Sequence, residues 1–453
     1  MTQSKRITTF IIPGAFLTAV MIVLMFAVAS KAPDNKSFFL SANVPPLIGA
    51  CVMTAVFRER EDRISIAVTL LFAFLLMTGN TYQLILGAVK PLKIVLLNLA
   101  APLCAAAALA LYVKVIKKRV LVSRRGYRLM IYIIGAAIVL LFLLLLLFGV
   151  DVSAEAVGDT TAPPGNARLW LRFGSSVTIQ PTEIIKLLYV FLLALIYNSN
   201  MSVRRKIVYG VVSLGVSSLF LALLSEFGTI IILFAVYLIG FYIHIRMRYS
   251  LLMMAGIALV LIAALAVVFG THELFKEQDG FIAEKLNKIY DRLVLADTNQ
   301  ATRALEGMIN GGFFGVNNRY RVDFHSAEAD FAPAGIVQCM GIVTLVMCLI
   351  AAGAITYLVY LKGLDDSLNN RSRYKLGFLL SVMLAVQTLI SLAGNIGLPC
   401  TGVGMPMGIS AGGTQMLTGC TAEAFIIYGL LREPKVRPPE IKRSDKDEVL
   451  CGS

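Results

Sequence analysis

The sequence predicts an all-α, polytopic membrane protein with about twelve transmembrane helices. Composition, run length and one missing pattern carry that prediction. Of 453 residues, 58% are hydrophobic and only 15% are charged, against roughly 25% charged in an average soluble domain. The apolar residues fall in long runs such as Thr9–Ala29 and Leu129–Val150, each enough to cross a hydrocarbon layer of roughly 30 Å as a helix. No train of short segments alternates with period two, which removes an outer-membrane barrel. A soluble enzyme is excluded on the same grounds.

In chain order the spans run over 8–30, 39–57, 64–87, 92–115, 129–150, 181–198, 206–224, 227–245, 250–270, 340–361, 376–395 and 410–431. The basic residues orient them. Arg58, Arg60 and Arg63 share one loop, and Lys117, Lys118, Arg119, Arg124, Arg125 and Arg128 another. Further clusters are Arg204–Lys206, Arg246 with Arg248, Lys362 through Lys375, and Arg432, Lys435, Arg437, Lys442 and Arg443 in the tail. With simple alternation they all fall on one side, which the positive-inside bias makes cytoplasmic, together with both termini. The same distribution accounts for the net charge of +14, so no nucleic-acid partner is expected. The first run is too long for the apolar region of a signal peptide and reads as a span.

Seven cysteines include no CxxC pair, and with three histidines a zinc site is not expected. Cys51, Cys104 and Cys348 lie in apolar runs and read as inert core thiols, whereas Cys400 and Cys420 fall nearer the outer surface.

Three irregular stretches then lie outside: 151–180, 271–330 and 395–415. A loop of about sixty residues is uncommon without a function or substructure of its own. Within it Phe281, Leu286, Ile289 and Leu293 share a helical stripe, fitting an interfacial amphipathic helix or a packed surface helix equally well. The polar tail 433–453 reads as disordered and cytoplasmic.

Two of these outer regions carry ionisable groups close to apolar spans, where a charge costs about 2.5–3.5 kcal/mol at a helix centre. In Gln180-Pro181-Thr182-Glu183-Ile184-Ile185-Lys186, Glu183 and Lys186 are three apart and share a helix face. Pro181 and Glu183 also suit a plain helix start, but Lys186 lies a turn deeper in an apolar run. Asp330 ends the long loop just before a span; it reads either as a helix cap or as a partly desolvated carboxylate able to act as a base. Arg303 through Gly315 and Ser410-Ala411-Gly412-Gly413-Thr414 flank it, with glycines able to present N–H groups to an anion.

Taken in order, these segments resemble the SEDS family, the FtsW/RodA/SpoVE group of bacterial cell-wall proteins. Ala167-Arg168-Leu169-Trp170, Gln180-Pro181-Thr182-Glu183 and Lys186 are similar to its ARxW and QPSE..K signatures. Glu226-Phe227-Gly228-Thr229 resembles DLGT, and Asn299-Gln300 with Gly311-Gly312-Phe313-Phe314-Gly315 fits the Gln-to-GG-x-x-G spacing of the long loop. Asp330-Phe331 through Gly341 falls on the DF…EE.G block. Pro399-Cys400-Thr401-Gly402, Met405-Pro406 and Ser410 through Thr414 resemble PxTG..LP…SYGGSS. The resemblance covers 129–432, with more spans ahead of it than the family usually has, so residues 1–128 are set apart as an N-terminal transmembrane extension.

The resemblance implies a SEDS-type helical bundle with a long extracytoplasmic loop in a bacterial cytoplasmic membrane. It implies a glycosyltransferase that polymerises lipid II, with Asp330 catalytic and a class B penicillin-binding protein as partner. Arg168 and Lys186 match the family's cations for the pyrophosphate leaving group, and Arg303 is added from charge alone. Gln300, Glu183, Ser410, Gly412, Gly413 and Thr414 complete the expected substrate contacts. A divalent cation, Mg2+ or Mn2+, could share the charge, though no dedicated site is visible. The family's acidic pair is here Gln338-Cys339, its tyrosine Ala411, its second serine Gln415, its DLGT aspartate Glu226 and its second loop glutamine Arg303. Those departures motivate a second reading, a non-catalytic scaffold for a transpeptidase; a lipid flippase is a third.

Overall fold

A computed structural model of the chain is a bundle of helices. It describes residues 3–59, 62–87, 89–121, 123–150, 170–173, 177–224, 226–244, 270, 298–316, 321–322, 327, 329–364, 372–398, 403–410 and 412–431. Four helices open the chain: α1 Gln3–Lys31, α2 Lys36–Glu59, α3 Arg63–Leu86 and α4 Pro91–Leu111, the last widening into a π-type stretch over Tyr112–Val120. Then come α5 Arg124–Phe148, a hairpin of β1 Leu171–Phe173 and β2 Val177–Ile179, and α6 Pro181–Asn198, α7 Val203–Leu223 and α8 Phe227–His244. The remainder is α9 Thr298–Gly311, α10 Ala332–Met340, α11 Ile342–Gly363, α12 Ser372–Asn395 and α13 Gly413–Leu430.

Local chemistry sets several of these ends. The Asp62 carboxylate caps α3 by accepting from Ser65 N–H at 3.2 Å, and Gly87 closes the helix in the left-handed region. Pro91 and Pro181 stand in the first turns of α4 and α6, where a missing N–H costs nothing. Ser123 caps α5 through Gly126 N–H at 3.0 Å.

Among the described residues, 9 helices are long and apolar enough to cross a membrane. Together with α1 and α13, they place a helix at every predicted span except 250–270, which lies outside the described residues apart from Gly270. The predicted helix at 281–295 and the tail also lie outside them. The chain is a multi-pass membrane protein. Helices α3, α6 and α12 form the buried centre. Helices α4, α5 and α7 present Leu96, Leu103, Leu147 and Leu219 outward, as lipid-facing surfaces do.

Two features depart from the expectation. The span predicted from 340 is preceded by a separate helix, α10, because Gly341 at φ 92 breaks the chain before α11. An added Cβ there would meet the Phe313 carbonyl oxygen at 2.0 Å, so only glycine fits. Cys51 and Cys104 are exposed on outer faces rather than being core thiols, because helices at the rim turn apolar positions toward lipid. Cys348 is buried as expected, Cys420 lies buried within α13, and Cys400 is outside the described residues.

Candidate functional site

The antiparallel pairing of β1 with β2, Leu171 opposite Ile179, delivers the chain directly to Gln180 and α6. One turn into that helix, Lys186 Nζ meets Glu183 Oε1 at 2.7 Å, with Lys186 only 1% and Glu183 6% exposed. Spacing anticipated the pair; burial shows why neither charge is tolerable alone. Gln180 N–H donates to Thr414 Oγ1 at 3.1 Å, tying the start of α6 to the start of α13.

Segment 403–410 leads to α13 and is buried throughout. Buried non-helical backbone needs partners from elsewhere. Gln387 Nε2 donates to the Gly404 carbonyl at 3.0 Å, Gln415 Nε2 to that of Met405 at 2.9 Å, and Gln83 Nε2 to that of Ile409 at 2.7 Å. Gln415, a departure from the family pattern, thus has a structural task. The turn uses left-handed backbone at Met407 (φ 63) and Gly408 (φ 73).

The same segment reaches the Asp330 turn, where Ser410 Oγ donates to the Ala329 carbonyl at 2.8 Å. Tyr82 OH, from α3, donates to the Ala327 carbonyl at 2.5 Å. Asn395 Nδ2 donates to the Asp330 carbonyl at 3.1 Å and to that of Ser391 at 2.8 Å, while its Oδ1 accepts from Ala334 N–H at 3.0 Å. One fully buried amide thereby joins the end of α12 to the turn carrying Asp330 and to the first turn of α10. Asp330 itself is half-buried. Neither Asn395, Tyr82 nor Gln83 was singled out from sequence. The available signal was a polar residue closing or interrupting an apolar run.

Helix α9 and the glycines after it brace α10. A Cβ at Gly311 would lie 2.3 Å from the Val337 carbonyl oxygen, and at Gly315 (φ 75) 2.5 Å from that of Cys339. Ile342 N–H donates to the Gly312 carbonyl at 2.9 Å and Val316 N–H to that of Gln338 at 2.8 Å. The GG-x-x-G spacing is therefore a backbone-to-backbone contact requirement. Gln338 Nε2 donates to the Val322 carbonyl at 3.0 Å, and Lys31 Nζ binds the carbonyls of Phe314 at 2.6 Å and Cys339 at 2.8 Å. Glu226 is buried at the head of α8 and accepts from Thr229 Oγ1 at 3.0 Å.

The structure thus links Thr414 and Ser410 to the Gln180 and Asp330 segments, whereas Arg303 is exposed on α9. The Gln300 side chain, Arg168 and Ala411 lie outside the described residues. Beside Ser410 and Gly412 a small crevice of about 20 Å³ is lined by Asn80, Gln83, Ile94, Leu97 and Met416 among others. No group of three or more His, Cys, Asp or Glu side chains that could hold a metal occurs among the described residues. The carboxylates at hand are Glu183, matched by Lys186, and Asp330, so these residues do not by themselves make a cation cage. Chemically, the arrangement offers a half-buried carboxyl on a turn pinned from two helices and from the buried segment 403–410.

Residues 104–433 match the FtsW/RodA/SpoVE family model, described as cell cycle protein. The chain is 28% identical over 289 residues to a probable peptidoglycan glycosyltransferase FtsW of Nitrosococcus halophilus strain Nc4, covering 61% of this chain and 72% of that one. It is 27% identical over 277 residues to the protein of the same description from Bacillus subtilis strain 168, covering 56% and 64% respectively. Among solved structures, a chain from work on structural coordination of polymerization and crosslinking by a peptidoglycan synthase complex superposes with a TM-score of 0.54. That match has 18% identity and covers 81% of this chain and 98% of the other, a likeness of fold.

Proposed function

The chain belongs to the FtsW/RodA/SpoVE family of cell-cycle proteins, and on that premise we propose that it is a glycosyltransferase polymerising lipid II into glycan strands. Asp330 is its general base. The acceptor sugar hydroxyl attacks the anomeric carbon of the donor, the bond from that carbon to the pyrophosphate oxygen breaks, and the hydroxyl proton passes to the Asp330 carboxylate. The lipid pyrophosphate leaves carrying the electron pair, and cationic groups offset its charge. Arg168 and Arg303 are the candidates with charge to offer; Lys186 acts in company with Glu183. Gln300, Ser410, Gly412, Gly413 and Thr414 line the substrate path. A divalent cation, if used, draws on the substrate's own phosphates for ligands, and no step is assigned to it.

The observation that carries this reading is the pinning of the Asp330 turn by Asn395, Ser410 and Tyr82. A turn that merely started a helix needs no such support, and the N-cap position of α10 belongs to Phe331 rather than to Asp330. The reaction lies at the outer face of a bacterial cytoplasmic membrane with both termini cytoplasmic, an orientation that the positive-inside bias supports, and beside a class B penicillin-binding protein that supplies transpeptidation.

The test is polymerisation of lipid II by purified protein, alone and with that partner, with Asp330→Ala and Asp330→Asn in parallel. Polymer from the wild type and none from either variant is expected. Equal inactivity of all three, with an active family member working alongside, favours the scaffold reading that the neutral Gln338 suggests.

A further inference from the structure

Helix α9 divides its exposed perimeter into two sectors. Leu305 (41% exposed), Ile309 (72%) and, just past the helix, Phe313 (71%) and Phe314 (79%) form one continuous apolar stripe. Arg303, Glu306 and Asn310 form the adjoining polar sector, and Ala304, Gly307 and Gly311 are buried on the face turned to α10. Large aromatics left this bare are expensive in water.

The position of the stripe says what covers it. Ile342 N–H binds the Gly312 carbonyl, so the apolar turn abuts the first residue of α11, a helix of membrane-spanning length. From there the outward residues Val343, Val346, Met347 and Ile350 continue the apolar surface along α11. Phe314, whose carbonyl Lys31 binds, also adjoins the end of α1, whose Val23 and Phe26 face outward. The stripe is thus the upper rim of the lipid-facing belt, with a polar sector beside it for the water side.

We propose that α9 with Phe313 and Phe314 is an interfacial anchor that seats in the leaflet on the Asp330 side of the bilayer. Such helices sink their apolar face roughly 5–10 Å below the headgroups. Because Gly311 and Gly315 hold the α10 backbone rigidly against α9, the anchor sets the depth of the turn preceding α10. It does not depend on the polymerase reading, since a scaffold or a transporter would be seated in the same way.

The test uses the full chain in phosphatidylcholine vesicles. Phe313→Trp, Ile309→Trp and Asn310→Trp are made singly, with the emission of native Trp170 subtracted from the wild type. Vesicles carry bromine near the top of the acyl chains or near their ends, and iodide is added outside. Shallow bromine should remove on the order of half the added emission at 313 and 309, deep bromine little, and iodide should quench only at 310. Quenching at 313 and 309 by iodide and by neither bromolipid would place the stripe in water and overturn the proposal. Protection from all three would mean that protein covers it, which also overturns the proposal. Polymerisation is not the readout, so failure here and failure of the proposed activity are separable.

Discussion

Lys186 shows how a single residue can be more informative than its neighbours. An acid in the first turn of a helix has an ordinary explanation, but a lysine one turn deeper has none until the pair is seen to be buried. Glu183→Gln should destabilise the protein by about 3–5 kcal/mol, because it leaves a buried ammonium without its counter-ion. Adding Lys186→Met removes both charges and should recover most of the loss. Denaturant unfolding in detergent reads both, and a single variant as stable as wild type would contradict the pair. Asn395 is the complementary case. Its amide serves two backbone groups at the Asp330 turn and the start of α10 and a third in its own helix, so Asn395→Ala should cost about 1–3 kcal/mol in buried hydrogen bonding. If the proposed base is right, the variant should lower kcat more than it raises KM; equal turnover at saturating lipid II would reduce Asn395 to a structural role.

At the scale of elements, periodicity and run length were enough for the long helices, because each needs its own stretch of apolar sequence. They were not enough for α10, a nine-residue helix that runs up to α11 and is separated from it by a single glycine, Gly341. Nor did they show that segment 403–410 is interior. A Gly- and Pro-containing stretch reads as a surface loop, and what keeps it inside are glutamines at 83, 387 and 415 on three separate helices. The glycines separate in the same way. Gly341→Ala combines a strained φ of 92 with a backbone collision and should abolish stable folding, measured as loss of the monodisperse species in detergent. Gly135→Ala lies in the middle of α5 with nothing within 4 Å, and should instead stabilise by about 0.5–1 kcal/mol in the same denaturation assay.

For the molecule as a whole, the N-terminal helices prove to be part of the site's framework. The family match begins at 104, yet α3 supplies Tyr82 and Gln83, and α1 supplies Lys31. Asp62 at the head of α3 pairs with Lys362 at the end of α11, which also binds Ser65 Oγ at 2.7 Å, fastening the other end of the bundle. Sequence reading set residues 1–128 apart because motif order has no information about partners hundreds of residues away. Lys31→Met should speed hydrogen exchange at the amides of Gly315 and Val316 while leaving α5 unchanged; unaltered exchange there would show that Lys31 is dispensable.

Those two carbonyls lie 283 and 308 residues downstream of Lys31. During synthesis α1 is made long before the carbonyls of Phe314 and Cys339, and the Lys31 ammonium reaches neither until the chain has grown past residue 314. Through that interval the charge is held by water and lipid headgroups alone. A chain that stops before residue 314 therefore keeps that cation without these two partners at the tip of α1, and the contacts form only when Phe314 and the end of α10 have been delivered. In that sense Lys31 records the arrival of the distant segment, because α1 makes its last contacts only when residues 314 and 339 are in place.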